Sequence, residues 1–357
     1  MEEQLDSFDA DERKHGLEAL VPHQVPASAA SHININMHFH SFFSYNALGY
    51  SPSRIAWEAR KAGLYAAGLC DFDVLDGLEE FINAGLQLSM RATVNLETRV
   101  YVKECAGVDI SSPGEAGVGY MMGAGFVGTP PAGSVQAKGL AGYRESARAR
   151  NVALIGRVNA KLPRVAIDYD KDVVPLTPAG AATERHIISA YINKAREVFG
   201  NPEKTARFWS DVLGRPFEDT VALMADMPEL EESVRAKLVK RGGLGYEQPS
   251  PQAFPPVEDF IKWVSSCDAI PMLAWLDGTS GGEKDPRNFL ELVTGKGIAA
   301  VNIIPDRNWN ISNAETRKVK VANLRAFVEE ADRMGLPVNI GTEMNKQGLP
   351  FVDNLDG

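Results

Sequence analysis

The sequence predicts an α/β fold of barrel type. Short apolar runs alternate with helix-patterned stretches at both ends of the chain, about seven such runs can be found, and the first ends in a histidine pair with strand spacing. A strand–helix–strand rhythm implies parallel strands with helices packed outside them. The pair lies in Met37-His38-Phe39-His40-Ser41. Residues two apart on a strand point to the same face, so His38 and His40 converge on one place. Histidine is the commonest metal ligand, which makes a metal the functional reading, while two ordinary core or surface histidines are the bland one.

In chain order, Ile33 to Met37 reads as strand, Ser53 to Ala62 as helix, Tyr65 to Cys70 as strand, Leu75 to Leu88 as helix and Ala92 to Val102 as strand. A further strand is expected at Gly117 to Val127, then strands at Ile270 to Leu276, Ile298 to Ile304 and Val338 to Thr342, with a helix from Thr316 to Met334. Between these ends, roughly residues 139–258 are mainly helical, with helices around Ala141 to Lys161, Ala182 to Phe199, Pro202 to Leu213 and Pro228 to Arg241. A block of that size exceeds an ordinary crossover and is expected as an insertion over one end of the barrel, where such segments often act as lids. The domain division is therefore a weakly ordered arm, or a short helix plus linker, over 1–31 and one barrel domain over 32–357 that carries the insertion. The last run lies so near Gly357 that no closing helix can follow it, and a truncated sequence is the expectation.

Composition narrows the function classes. With 357 residues, 44% of them hydrophobic, the chain can bury a large core. A net charge of -10 without a cluster of Lys and Arg argues against a nucleic-acid surface. Cys70, Cys105 and Cys267 are odd in number and widely spaced, so neither a disulfide framework nor a thiolate zinc site is expected, and a reducing, cytoplasmic setting is the default. Nothing resembles a signal peptide or a membrane-spanning apolar run.

The segment His38-Phe39-His40-Ser41 through Ser44, the run Gly63 to Asp73, Asp76-Gly77-Leu78-Glu79-Glu80-Phe81, the strand ending Asn95-Leu96-Glu97, and Gly335 to Asn345 together resemble the polymerase and histidinol phosphatase (PHP) family over about 33–128 and 268–345. The resemblance implies a distorted seven-stranded TIM-like barrel. It also implies a first metal held by His38, His40, Glu97 and Glu343. At the family's second metal position stand Tyr120 (or Met121) and Trp275, neither a plausible ligand for a hard or borderline cation, and at its third stand Tyr45, Phe72 and Asn345. The implied cofactor is therefore one divalent metal, Mn²⁺, Fe²⁺ or Zn²⁺, facing a wall of aromatic residues.

Several residues beside that site are candidates for chemistry. Asp71 is expected to accept a hydrogen bond from a ligand imidazole. His186 suits acid or base work and Arg185 anion binding, unless Thr183-Glu184-Arg185-His186 is simply a capped helix start. Asp277 either replaces a lost ligand or belongs to an Asp-Gly turn. After the sixth strand, Arg307 is expected to act on or bind an anion and Trp309 to stack on a substrate ring, with Lys346 a second anion contact. Two functions are consistent with this pattern. One is a metal-dependent hydrolase acting on a phosphorylated or otherwise anionic small molecule. The other is a degenerate barrel that binds a ligand or partner without catalysis.

Overall fold

The computed structural model describes residues 1–23 and 34–353. Contacts divide the chain into two compact units, 1–143 with 249–357, and 144–248. The first unit holds seven strands in sequential order: β1 (Ile35–Phe39), β2 (Ala66–Phe72), β3 (Arg91–Tyr101), β4 (Val118–Ala124), β5 (Ile270–Ala274), β6 (Ala300–Ile303) and β7 (Val338–Ile340). They form a mixed sheet that nearly closes into a barrel. Across the gap between its edges, His40 N–H donates to the Glu343 carbonyl at 3.1 Å and Asn36 Nδ2 donates to Thr342 Oγ1 at 2.8 Å.

One expectation about the sheet is corrected. β4 runs antiparallel to both β3 and β5, whereas the remaining pairs are parallel. A parallel neighbour needs a crossover, usually carried by a helix, and the segment 102–117 that joins β3 to β4 holds only a single 3₁₀ turn. Glu97 consequently stands directly beside Met122, and Arg99 beside Tyr120.

The helices of this unit are α1 (Ala10–Leu20), α2 (Pro52–Lys61), α3 (Leu78–Gln87), the start of α4 (Val135–Lys161), α9 (Val257–Ser266), α10 (Pro286–Thr294), α11 (Asp306–Trp309) and α12 (Ala314–Arg333). Helices α9 and α10 carry no assignment in the sequence reading. α2 begins where Ser51 Oγ accepts from Arg54 N at 2.9 Å and Pro52 supplies a preset φ, a pairing suited to a first turn. Residues 2–20, expected as a weakly ordered arm or a short helix plus linker, form a 3₁₀ turn and α1. They bury Leu5, Leu17 and Leu20, and Arg13 holds Glu80 through bonds of 2.7–3.0 Å. The arm from residue 24 onward, with Ile33 of the first expected strand, lies outside the described residues.

The second unit comprises the remainder of α4 with α5 (Glu184–Phe199), α6 (Pro202–Leu213), α7 (Phe217–Ala225) and α8 (Met227–Leu238). It has its own core, built on Val158, Tyr191, Trp209, Leu230 and Val234. Gly200 and Gly214, with φ of 57° and 68°, end α5 and α6 in the left-handed conformation that a Cβ disfavours. Among the described residues no helix is long and apolar enough to cross a membrane.

Candidate metal centre

Two strands, β1 and β3, and the loop after β7 bring the donors together. His38 and His40 project from β1 and its end into the barrel. Glu97, midway along the long β3, faces the same interior beside Phe72, the last residue of β2. Glu343 follows β7, and Gly341 allows its approach: a Cβ there would lie 2.6 Å from His38 N and 2.8 Å from Met37 N, too close for any side chain. Ligand atoms of His38, His40, Glu97 and Glu343 lie within 4.8 Å of one another, and all four residues are buried. Four buried donors of this mixed nitrogen and oxygen type suit a divalent transition ion or zinc.

Hydrogen bonds behind the donors orient them. Glu97 Oε2 lies 3.3 Å from His38 Nε2 and 3.5 Å from His40 Nε2, and the latter nitrogen is buried with no hydrogen-bond partner. A buried imidazole nitrogen without a hydrogen-bond partner, beside the Glu97 carboxylate, fits the role of a metal ligand. His38 Nδ1 faces Asn302 Nδ2 at 3.0 Å, and Asn339 Nδ2 donates to Asn302 Oδ1 at 2.8 Å. Glu343 Oε2 accepts from Arg307 Nη2 at 2.6 Å and Asn345 Nδ2 at 2.8 Å.

The charges follow from these contacts. Burial pushes His40 down to about 3, helped by His38 beside it, so its imidazole is neutral. Burial also opposes the charged form of His38, but the adjacent Glu97 carboxylate outweighs it and raises the pKa. Burial alone would raise the Glu343 carboxyl; the Arg307 guanidinium and the imidazoles instead hold it well below the usual carboxylate range. Asp71 is raised to about 6 by burial, against the hydrogen bonds it receives from Ser41 and Ser44.

Asp71 makes no direct bond to an imidazole. It is reached through Ser44, whose hydroxyl lies 3.3 Å from His40 Nδ1 and donates to Asp71 Oδ1 at 2.6 Å. The sequence reading assigns neither serine a role, although Ser41 and Ser44 follow the histidine pair closely enough to have suggested one.

The residues expected to form an aromatic wall do not form one. Phe72 stacks on His40 with ring centroids 4.4 Å apart and lies 6.0 Å from Tyr120, and Asn345 bonds Glu343. Trp275 faces away. Its ring stacks on Phe327 of α12 at 4.4 Å in the outer core, while Ala274 is the residue that joins the inward cluster with Met122, Met272 and Ala300. The expectation that placed Trp275 in the mouth is off by one residue, which on a strand is a change of face. Asp277 is a turn residue: its carboxylate accepts from Thr279 N at 2.9 Å and pairs with Lys320 at 2.7 Å.

The other candidates fall in different surroundings. Arg307 touches the donor cluster through Glu343, with its side chain 40% exposed. Trp309 lines an open groove on α12 with Arg317, Lys318 and Arg325. Lys346 is exposed. Arg185 and His186 are engaged inside the helical unit. Arg185 pairs with Glu232, and His186 Nδ1 accepts from Thr183 N at 3.0 Å, closing a capping box at the start of α5. An imidazole used as a helix cap and pushed down to about 4 by burial is a structural acceptor, which replaces the acid–base role expected for it.

That capping role has a testable consequence. A histidine whose folded pKa is depressed contributes stability above its unfolded pKa and loses it as pH falls toward the folded value. Between pH 6.5 and about 4, His186 should therefore remove roughly 3 kcal/mol from the folded chain. His186→Gln keeps an acceptor at the capping position and abolishes the titration. Its denaturant midpoint should fall less steeply than that of the wild type over this window. Parallel curves would show that His186 does not titrate in this way.

No protein-family model matches the chain, and no curated protein matches it. Two solved structures are similar in fold. A protein assigned as a metal-dependent phosphoesterase from Bifidobacterium adolescentis superposes with a TM-score of 0.55 at 16% identity, over 89% of this chain and 90% of the other. An amidohydrolase from Chromobacterium violaceum, with bound sulfate and no metal, superposes with a TM-score of 0.57 at 17% identity, over 90% and 92%. At these identities the likeness establishes the TIM-like barrel fold.

Proposed function

We propose that this chain is a metal-dependent hydrolase of PHP phosphoesterase type, acting on a phosphorylated or otherwise anionic small molecule through one divalent ion. The observation that carries the reading is the set of four buried donors, His38, His40, Glu97 and Glu343, with ligand atoms within 4.8 Å of one another and His40 Nε2 without a hydrogen-bond partner. The similarity in fold to a protein assigned as a metal-dependent phosphoesterase supports it. A divalent ion held there would supply Lewis acidity, polarising a substrate oxygen and promoting ionisation of water. The chain's own contributions are legible. Glu97 and Glu343 would balance the charge of an ion held there, Phe72 shields one face of His40, and Arg307 could offer the guanidinium edge that Glu343 leaves free to an anionic group.

Arg307→Ala tests the last of these roles. Loss of one charge-assisted hydrogen bond should raise KM about ten- to hundred-fold with a smaller change in kcat. Metal affinity should rise, since Glu343 then loses its competing cation. A fall in kcat at unchanged KM would remove Arg307 from substrate binding. The Arg307–Glu343 ion pair also favours a second reading, in which the cluster neutralises itself without metal and the barrel only binds a ligand. Elemental analysis of protein purified without chelators separates the two: about one equivalent of Mn, Fe or Zn supports the enzyme, and none supports the binding protein.

A further inference from the structure

We propose that Ser44, anchored by Asp71, is a positioning residue that holds His40 as its Nδ1–H tautomer and keeps Nε2 free as an acceptor facing the donor cluster. The inference rests on the metal reading only for its purpose, since the tautomer belongs to the chain itself. Asp71 receives three donors: Ser41 N at 2.7 Å, Ser41 Oγ at 2.7 Å and Ser44 Oγ at 2.6 Å. A hydroxyl has a single proton. Ser44 spends its proton on the carboxylate, so only lone pairs remain to face His40 Nδ1 at 3.3 Å, and that nitrogen must be the one that carries hydrogen. His40, Ser44 and Asp71 are all buried, where leaving any of these polar groups unpaired is costly.

Glu97 pulls the other way, because a proton on His40 Nε2 would point toward its carboxylate at 3.5 Å. Its Oε2 is already the closer neighbour of His38 Nε2, at 3.3 Å, and His40 Nε2 makes no hydrogen bond with it. Phe72 covers a ring face of His40 and offers neither nitrogen a partner. A direct imidazole–carboxylate bond is the commoner way to orient a metal-binding histidine. Here the serine spacer transmits the same constraint from an aspartate one hydrogen bond further back.

The test is nitrogen-15 spectroscopy of the histidine rings in the metal-free full-length chain, whose six histidines are few enough to assign. His40 should carry its proton on Nδ1 in the wild type. Ser44→Ala should lose that preference and weaken Zn²⁺ binding, measured by chelator competition, by about ten- to hundred-fold, and Ser44→Thr should restore both. Wild-type His40 protonated on Nε2 overturns the proposal without any variant, as does a folded Ser44→Ala that retains the Nδ1 proton or the wild-type affinity for zinc. If the wild type binds no zinc while Ser44→Ala still shifts the tautomer, the relay stands and the metal reading fails.

Discussion

His40→Ala should empty the centre of metal and reduce turnover by roughly 10³-fold or more, since the Lewis acidity at stake is worth several kcal/mol and each 1.36 kcal/mol is a factor of ten. The substitution removes the one donor atom in the cluster that is buried and has no hydrogen bond of its own. Glu97→Gln should have the same effect for a different reason. It keeps the volume and removes the carboxylate that balances both the ion and the His38 imidazole. The measurement is metal content by elemental analysis beside rates on phosphomonoesters, phosphodiesters and acyl esters with added Mn²⁺, Fe²⁺ or Zn²⁺. Because Glu97→Gln is nearly isosteric, its thermal midpoint reports whether a loss of activity is a loss of fold. Undiminished hydrolysis by His40→Ala would exclude the mechanism, and a wild type inactive on every class would leave the ligand-binding barrel as the better reading.

Trp275→Ala should cost about 3–5 kcal/mol of stability, the range for emptying a large aromatic side chain from a packed core. The ring is 1% exposed and stacks almost parallel on Phe327, at an interplanar angle of 13°. Its Nε1 has no hydrogen-bond partner, so its contribution is packing alone, and Trp275→Phe should recover much of the loss. Metal content should be unchanged in either variant, because the side chain lies on the far face of β5 from the donors. Denaturant midpoints and elemental analysis together decide the matter. A Trp275→Ala protein of native stability with altered metal content would return this residue to the mouth of the barrel and reverse the assignment of faces in β5.

Local pattern determined a good deal of this protein by itself. The spacing of His38 and His40 places both on one face whatever the rest of the chain does, because strand geometry has a period of two. Apolar runs bounded by turn residues located all seven strands, with β1 displaced by two residues, because burial on both faces leaves a continuous hydrophobic signature. Tertiary structure alone decided the rest. The direction of β4 depends on how its loop closes, and no residue within the strand encodes that. The face of Trp275 turns on a one-residue register that a short apolar run leaves open in sequence, since Leu273, Ala274 and Trp275 are all apolar and all buried. The partners of His186, Asp277 and Asp71 are set by hydrogen bonds to Thr183, Thr279 and the two serines, whose geometry exists only once the turns have formed. Glu343 reaches His38 from 305 positions further along the chain because Gly341 has no Cβ to hold β7 off β1, a contact between backbones that side-chain patterns cannot report.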